Sequence, residues 1–148
     1  MKRALGTFPM VARWLFLSML AVLSAVSSAM AADGVISIEL NKVDDTEQGC
    51  RPLFLFDNRS GHQLNKFQVE LVLFDDKGVY SRQVLMDMAP LYEDKKIVAS
   101  FLINEIACDE IGSMLVNALP SCANTTGADL NCIGLLEVSS KSSIPLEK

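Results

Sequence analysis

Between Phe67 and Met88 the chain alternates apolar with polar residues, pauses at four residues that favour a turn, and alternates again. Phe67, Val69, Leu71 and Leu73 fall on one face, and Gln68 and Glu70 begin the other; Val72 and Phe74 make the far end apolar on both sides. A period of two sends successive side chains to opposite faces of an extended strand, which argues against a helix. Asp75-Asp76-Lys77-Gly78 then intervenes, and VYSRQVLMDM resumes the alternation. Asp tolerates turn conformations and its carboxylate accepts nearby backbone N–H groups, while Gly supplies the positive φ of a tight loop. The stretch reads as a β-hairpin, and its adjacent carboxylates as turn residues.

The chain on either side follows the same grammar. GVISIEL at 34–40 alternates Ile36, Ile38 and Leu40 with Ser37 and Glu39, and CRPLFLFDN is apolar on both faces from Leu53 to Phe56. IVASFLI, SMLVNAL and IGLLEV supply three further strands. NKVDDTEQG, NRSGHQ, APLYEDKK and SCANTTGADLNC are expected to connect them, NEIACDEIGSML has room for one helical turn, and SSKSSIPLEK reads as a loose tail. Seven short strands with regular turn signals and no convincing helix predict an all-β chain folded as a β-sandwich.

The first residues stand apart from this pattern. Lys2, Arg3 and Arg13 precede the apolar run WLFLSMLAVLSAV, and Ala29 and Ala31 occupy the −3 and −1 places of an A-x-A site, the layout of a secretory signal peptide. The expected organisation is a signal peptide at 1–31, a β-sandwich domain at 32–140 and a tail at 141–148. No twin arginine is present, which favours the general export route, and the expected location is periplasmic or secreted. No second long apolar run follows, so no membrane association is expected after cleavage. Beyond residue 31 ten basic residues face eighteen acidic ones, a net charge of about −8. That excess repels nucleic acid and anionic lipid, both polyanions.

Cys50, Cys108, Cys122 and Cys132 all follow the expected cleavage site. An even count in an exported chain reads as two disulfides, with three pairings open. Zinc is disfavoured because there is no C-x-x-C and the sole histidine, His62, is distant in sequence from every cysteine.

The stretch from Phe54 to Ile103 resembles the bacterial FxLYD-like and related immunoglobulin-like β-sandwich domains. Asn58 and Ser60 match a strand ending in N-x-S, Phe74, Asp75 and Gly78 a strand ending in F/Y-D-x-x-G, and Pro90 a Pro-centred turn. The match covers about fifty residues. The resemblance implies an immunoglobulin-like sandwich of about seven antiparallel strands, serving as an adhesion, scaffold or partner-binding module. The up-and-down topology it implies places Cys50 and Cys108 at one end and Cys122 and Cys132 at the other, giving Cys50–Cys108 and Cys122–Cys132. The longer loop would then stabilise the fold by about 4 kcal/mol and the shorter by about 3.

Candidate chemistry is sparse. His62 lies in a turn, no G-x-S-x-G elbow exists, and all four cysteines can pair, so no catalytic residue and no cofactor are assigned. No metal is assigned either; the carboxylates that could gather around calcium are Asp44, Asp45 and Glu47 in the first connection and Asp75 and Asp76 in the hairpin turn, at one end of the expected sandwich. Asn58-Arg59-Ser60 also matches a glycosylation sequon. Phe54, Phe56, Phe67, Phe74 and Phe101 read as core, leaving Tyr80 and Tyr92 as aromatic residues suited to recognition. The functional expectation is a non-enzymatic envelope module that binds another envelope protein by strand addition or through its end loops, including the disulfide-closed loop Ala123 to Asn131. A small enzyme inhibitor or an accessory subunit of an envelope enzyme is the alternative. Mass spectrometry of the exported protein is expected to find Ala32 as its first residue; an intact N-terminus would remove the signal peptide.

Overall fold

A computed structural model describes residues 34–148; the expected signal peptide and its cleavage site lie outside the described residues. Nine strands form two sheets, with one 3-10 turn at Cys108–Glu110 and one α-helical turn, α1, at Cys132–Leu135. The strands are β1 (Val35–Thr46), β2 (Gly49–Arg59), β3 (Leu64–Phe74), β4 (Tyr80–Asp87), β5 (Lys95–Ser100), β6 (Ile103–Asn104), β7 (Ser113–Asn124), β8 (Leu136–Ser140) and β9 (Leu146–Glu147). The first sheet runs β5-β2-β1-β8, with β6 also on β2, and the second runs β4-β3-β7-β9.

The alternation places the core between them. Ile36, Ile38 and Leu40 on β1 and Phe54 and Phe56 on β2 turn inward from the first sheet, and Phe67, Val69, Leu71 and Leu73 on β3 turn inward from the second. Phe56 meets Phe67 edge to face at 6.5 Å across the sandwich, while Phe101 stacks on Phe54 at 5.6 Å. Phe74 and Phe101 are only half-buried, unlike the other three phenylalanines expected in the core.

Four sequence expectations are corrected. The strands number nine rather than seven. The run IVASFLI breaks after Ser100 into β5 and β6, and the expected tail contributes β9. NKVDDTEQG is not a loop: β1 continues through Thr46 and pairs with β2 down to Gly49, leaving Glu47 and Gln48 as the turn. Val43 is half-buried against the core opposite Pro52, and the Thr46 hydroxyl donates to the Gly49 carbonyl at 2.7 Å and closes the hairpin, so a polar run is carried by backbone pairing. The last eight residues are not loose. Ile144 and Leu146 are buried, and Leu146 pairs with Met114 of β7. The pairing is also not wholly antiparallel, since β1–β8 and β7–β9 are parallel.

The disulfides are Cys50–Cys108 and Cys122–Cys132, with Cα atoms 4.7 and 6.3 Å apart. The first ties the start of β2 to the 3-10 turn; the second ties β7 to α1 at the opposite end. This is the pairing that the sandwich topology implied. The NEIACDEIGSML stretch does hold one turn of helix, of the 3-10 type.

Asn58 closes the end of the sandwich away from Cys50. It sits on the inner face of β2, 1% exposed. Its Nδ2 donates to the carbonyls of His62 at 2.8 Å, Leu91 at 3.1 Å and Tyr92 at 3.3 Å, and its Oδ1 accepts from the Ser60 N–H at 3.2 Å and the Ser60 hydroxyl at 2.7 Å. One amide thereby fastens the β2-to-β3 and the β4-to-β5 crossings. Gly34 passes so close to the Ser60 backbone that any side chain there would collide with it. Replacing Asn58 with Ala would remove five hydrogen bonds from a buried site and is expected to cost about 3 kcal/mol, read as a lowered denaturant midpoint. A loss under about 0.5 kcal/mol would show that these groups find other partners.

Candidate functional site

The residues that could carry chemistry are dispersed. Among the described residues, no three of His, Cys, Asp and Glu come together in a way that could hold a metal ion. The five calcium candidates do lie toward the same end, but three of them are engaged separately. Asp44 pairs with Lys42 at 2.6 Å, and Asp45 Oδ1 accepts the Cys108 N–H at 2.8 Å. Asp75 Oδ1 accepts the N–H groups of Lys77 at 2.9 Å and Val79 at 2.8 Å, and Gly78 takes φ +74°. The D-D-K-G stretch is thus a self-capped hairpin turn, as its composition implied. Extending β1 through Thr46 moved Asp44 and Asp45 out of a loop and into a strand, where their side chains diverge from Glu47 on the turn.

His62 is exposed and enters the structure through its carbonyl, which accepts from Asn58. The sequon is sealed: the Asn58 nitrogen that would carry a glycan is spent on buried carbonyls. The surroundings of Glu39 hold its carboxyl below the ordinary carboxylate range, through the Asn41 amide first and the Lys141 ammonium second. It lies on the outer side of the first sheet, a setting that suits structural pairing.

The disulfide-closed loop is braced from within. Asn124 Oδ1 accepts from the Thr126 N–H and hydroxyl and from the Ala128 N–H, and the Leu130 N–H returns to the Cys122 carbonyl at 2.9 Å. A shallow groove beside it is lined by Leu119, Pro120, Leu130 and Ile133. The loop lies along β7, and β8 and β9 pack together next to it, so this side of the sandwich is covered.

The opposite side is open. Among the described residues β4 and β5 each have a neighbour on one flank only. They share a side, because Arg82 on β4 donates to the Asn104 carbonyl on β6 at 2.7 Å, and β6 extends the β5 edge. Five of the six large apolar side chains that stand exposed among the described residues lie on or next to these two strands: Val79, Tyr80 and Leu85 with β4, Tyr92 in the β4–β5 connection, and Val98 on β5, with Leu85 and Val98 on the outer faces of their sheets. The remaining one is Ile133. Sequence reading named Tyr80 and Tyr92 but missed Val79, Leu85 and Val98. The signal for Leu85 was present, since the V-L-M run at 84–86 puts an apolar residue on the polar face, between Gln83 and Asp87. Compared with models of protein families, with curated proteins and with solved structures, the chain finds no match.

With Asp44, Asp45 and Asp75 separately engaged, the acidic end offers calcium no ready cage. Millimolar calcium is expected to move the unfolding midpoint by less than about 1 °C, measured against chelator by calorimetry; a rise of several degrees would mean that these carboxylates regroup around the ion.

Proposed function

We propose that this chain is an immunoglobulin-like β-sandwich acting outside the cytoplasm as a non-enzymatic binding module of the cell envelope, with its open side as the contact surface. The observation that carries the reading is that exposed Val79, Tyr80, Leu85, Tyr92 and Val98 all lie on or next to two strands that are paired on one flank only among the described residues. Scattered single apolar residues on a surface need no explanation, whereas a group of them along unprotected strands favours an interaction site. Both disulfides fit an oxidising compartment, in keeping with the signal-peptide reading of the N-terminus. Among the described residues no helix is long and apolar enough to cross a membrane.

A rigid sandwich with staples at both ends suits a module that presents an edge. Little of its shape needs to change on binding, so little ordering entropy opposes association. Its acidic charge favours partners with basic surfaces and speeds their encounter.

Isolated gently from the envelope fraction of its own host, the protein is expected to bring down one partner in stoichiometric amount. Leu85→Asp is expected to cut that recovery by about tenfold or more, since a buried unpaired carboxylate at a contact costs well over 1.4 kcal/mol. Recovery unchanged by Leu85→Asp would move the contact elsewhere, and the absence of any partner would remove the binding-module reading.

A further inference from the structure

We infer that β4 is the edge that accepts the partner, and that its occupant is an extended segment of another protein, apolar on one face and rich in lysine or arginine on the other. The inference rests on the binding-module reading and adds the strand, the mode and the chemistry.

The two open edges are protected unequally. β5 has six residues and begins with Lys95 and Lys96, and a lysine on an edge strand discourages pairing because its charge would have to be desolvated. Lys96 stands 3.7 Å from the buried carboxylate of Asp57, which Arg59 also contacts at 3.3 Å, and Lys95 lies 5.1 Å above the ring of Tyr92. Both lysines are therefore held at the strand. β4 has eight residues with neither lysine nor proline. Its one cation, Arg82, is turned toward the first sheet by its bond to Asn104 and does not guard the edge.

The inner face of β4 has unfinished packing. Val84 on β4 and Ile97 and Ala99 on β5 point inward but remain half-exposed, bordering the seam where the two sheets part. Their neighbours one strand inward, Leu71, Phe56 and Phe54, are fully buried. An added strand whose inner side chains are apolar would cover that seam, as β3 covers the other flank of β4.

The outer face of the same edge is acidic. Leu85 is paired across to Glu70, and Gln68 to Asp87, so two carboxylates flank an exposed leucine on the side away from the core. Glu70 is steadied by the Asn117 amide at 2.5 Å, and Asp87 by the Gln68 amide at 3.4 Å. Side chains on a newly paired strand lie directly opposite those of β4. A lysine or arginine there would cover Leu85 with its aliphatic stem and bring its charge to Glu70 or Asp87. The alternation of β4 itself, core-facing apolar positions and an acidic rim, thus specifies the complementary alternation of its occupant.

The test uses two synthetic ten-residue peptides, one alternating valine with lysine and one alternating valine with glutamate, titrated into isotope-labelled protein by NMR. The lysine peptide is expected to shift the amide signals of residues 80–87 and to bind about tenfold tighter than the glutamate peptide. The double variant Glu70→Lys with Asp87→Lys, whose changes are on the surface, is expected to reverse the preference. Shifts centred on 95–100, or a preference unaffected by the double variant, would overturn the inference. So would sedimentation showing that β4 is already taken by a second copy of the chain. If the peptides fail at β4 while the envelope partner is still recovered in a Leu85-independent way, the choice of edge falls and the module reading stands; if both fail, both readings fall.

Discussion

Asn58 is the side chain on which the two-sheet arrangement depends. A sandwich needs its chain to cross from one sheet to the other, and every crossing exposes backbone groups that have lost their ladder partners. Two crossings meet at the Asn58 end, after β2 and before β5, and the Asn58 amide gathers the carbonyls of His62, Leu91 and Tyr92 there. Asn is suited to this because it both donates and accepts: the amide serves the carbonyls while its oxygen holds Ser60. Leu64 and Leu91 then bond to one another through both backbone groups at 2.9 Å, fixing where β3 begins and where the path toward β5 turns. At the other end the work is divided between a covalent bond and a carboxylate: Cys50–Cys108 fixes the path into β7, and Asp45 caps the Cys108 N–H.

With both ends fixed, the two long sides are left to differ. On one, β8 lies beside β1 and β9 beside β7, and Ile144 and Leu146 fill the space between the sheets. Ser140 joins this closure by donating to the Ile144 carbonyl at 2.6 Å, and Lys148 donates to the Leu136 carbonyl. The disulfide Cys122–Cys132 holds the intervening loop against β7. On the other side nothing comparable among the described residues covers β4 and β5. A chain that closes one side with its own last residues and leaves apolar side chains beside the other has an asymmetric surface, and that asymmetry directs the functional reading.

Much of this was legible in the residues. The inward faces of β1, β2 and β3 follow from period two, and the hairpin at Asp75 to Gly78 follows from turn chemistry. What escaped the sequence was long-range. The polar run at 41–48 forms strand because β2 is there to pair with it, and intrinsic preference is a weak guide where cross-strand partners decide. The last residues look like a tail because Ser139, Ser140, Ser142 and Ser143 favour turns, yet Ile144 and Leu146 reach a groove that exists only once β7 and β8 are placed. The sequon at Asn58 shows the same limit, since three residues in a row could not reveal that its amide is used by carbonyls some thirty positions away. The acidic candidates do not form a cluster: Asp44, Asp45 and Asp75 are taken by separate partners, a lysine, the Cys108 N–H and the hairpin's own backbone.

The central claim is that one side of the sandwich is sealed by the chain's own C-terminus while the side bearing β4 is free. Amide hydrogen exchange, read residue by residue on the purified protein, tests it directly. The account predicts slow exchange through β2, β3 and β7 and through residues 144–147, with alternate amides of β4 exchanging orders of magnitude faster. Fast exchange through 144–147, or uniformly slow exchange along β4, would contradict it: the first would mean that the seal does not form, and the second that the edge is already paired.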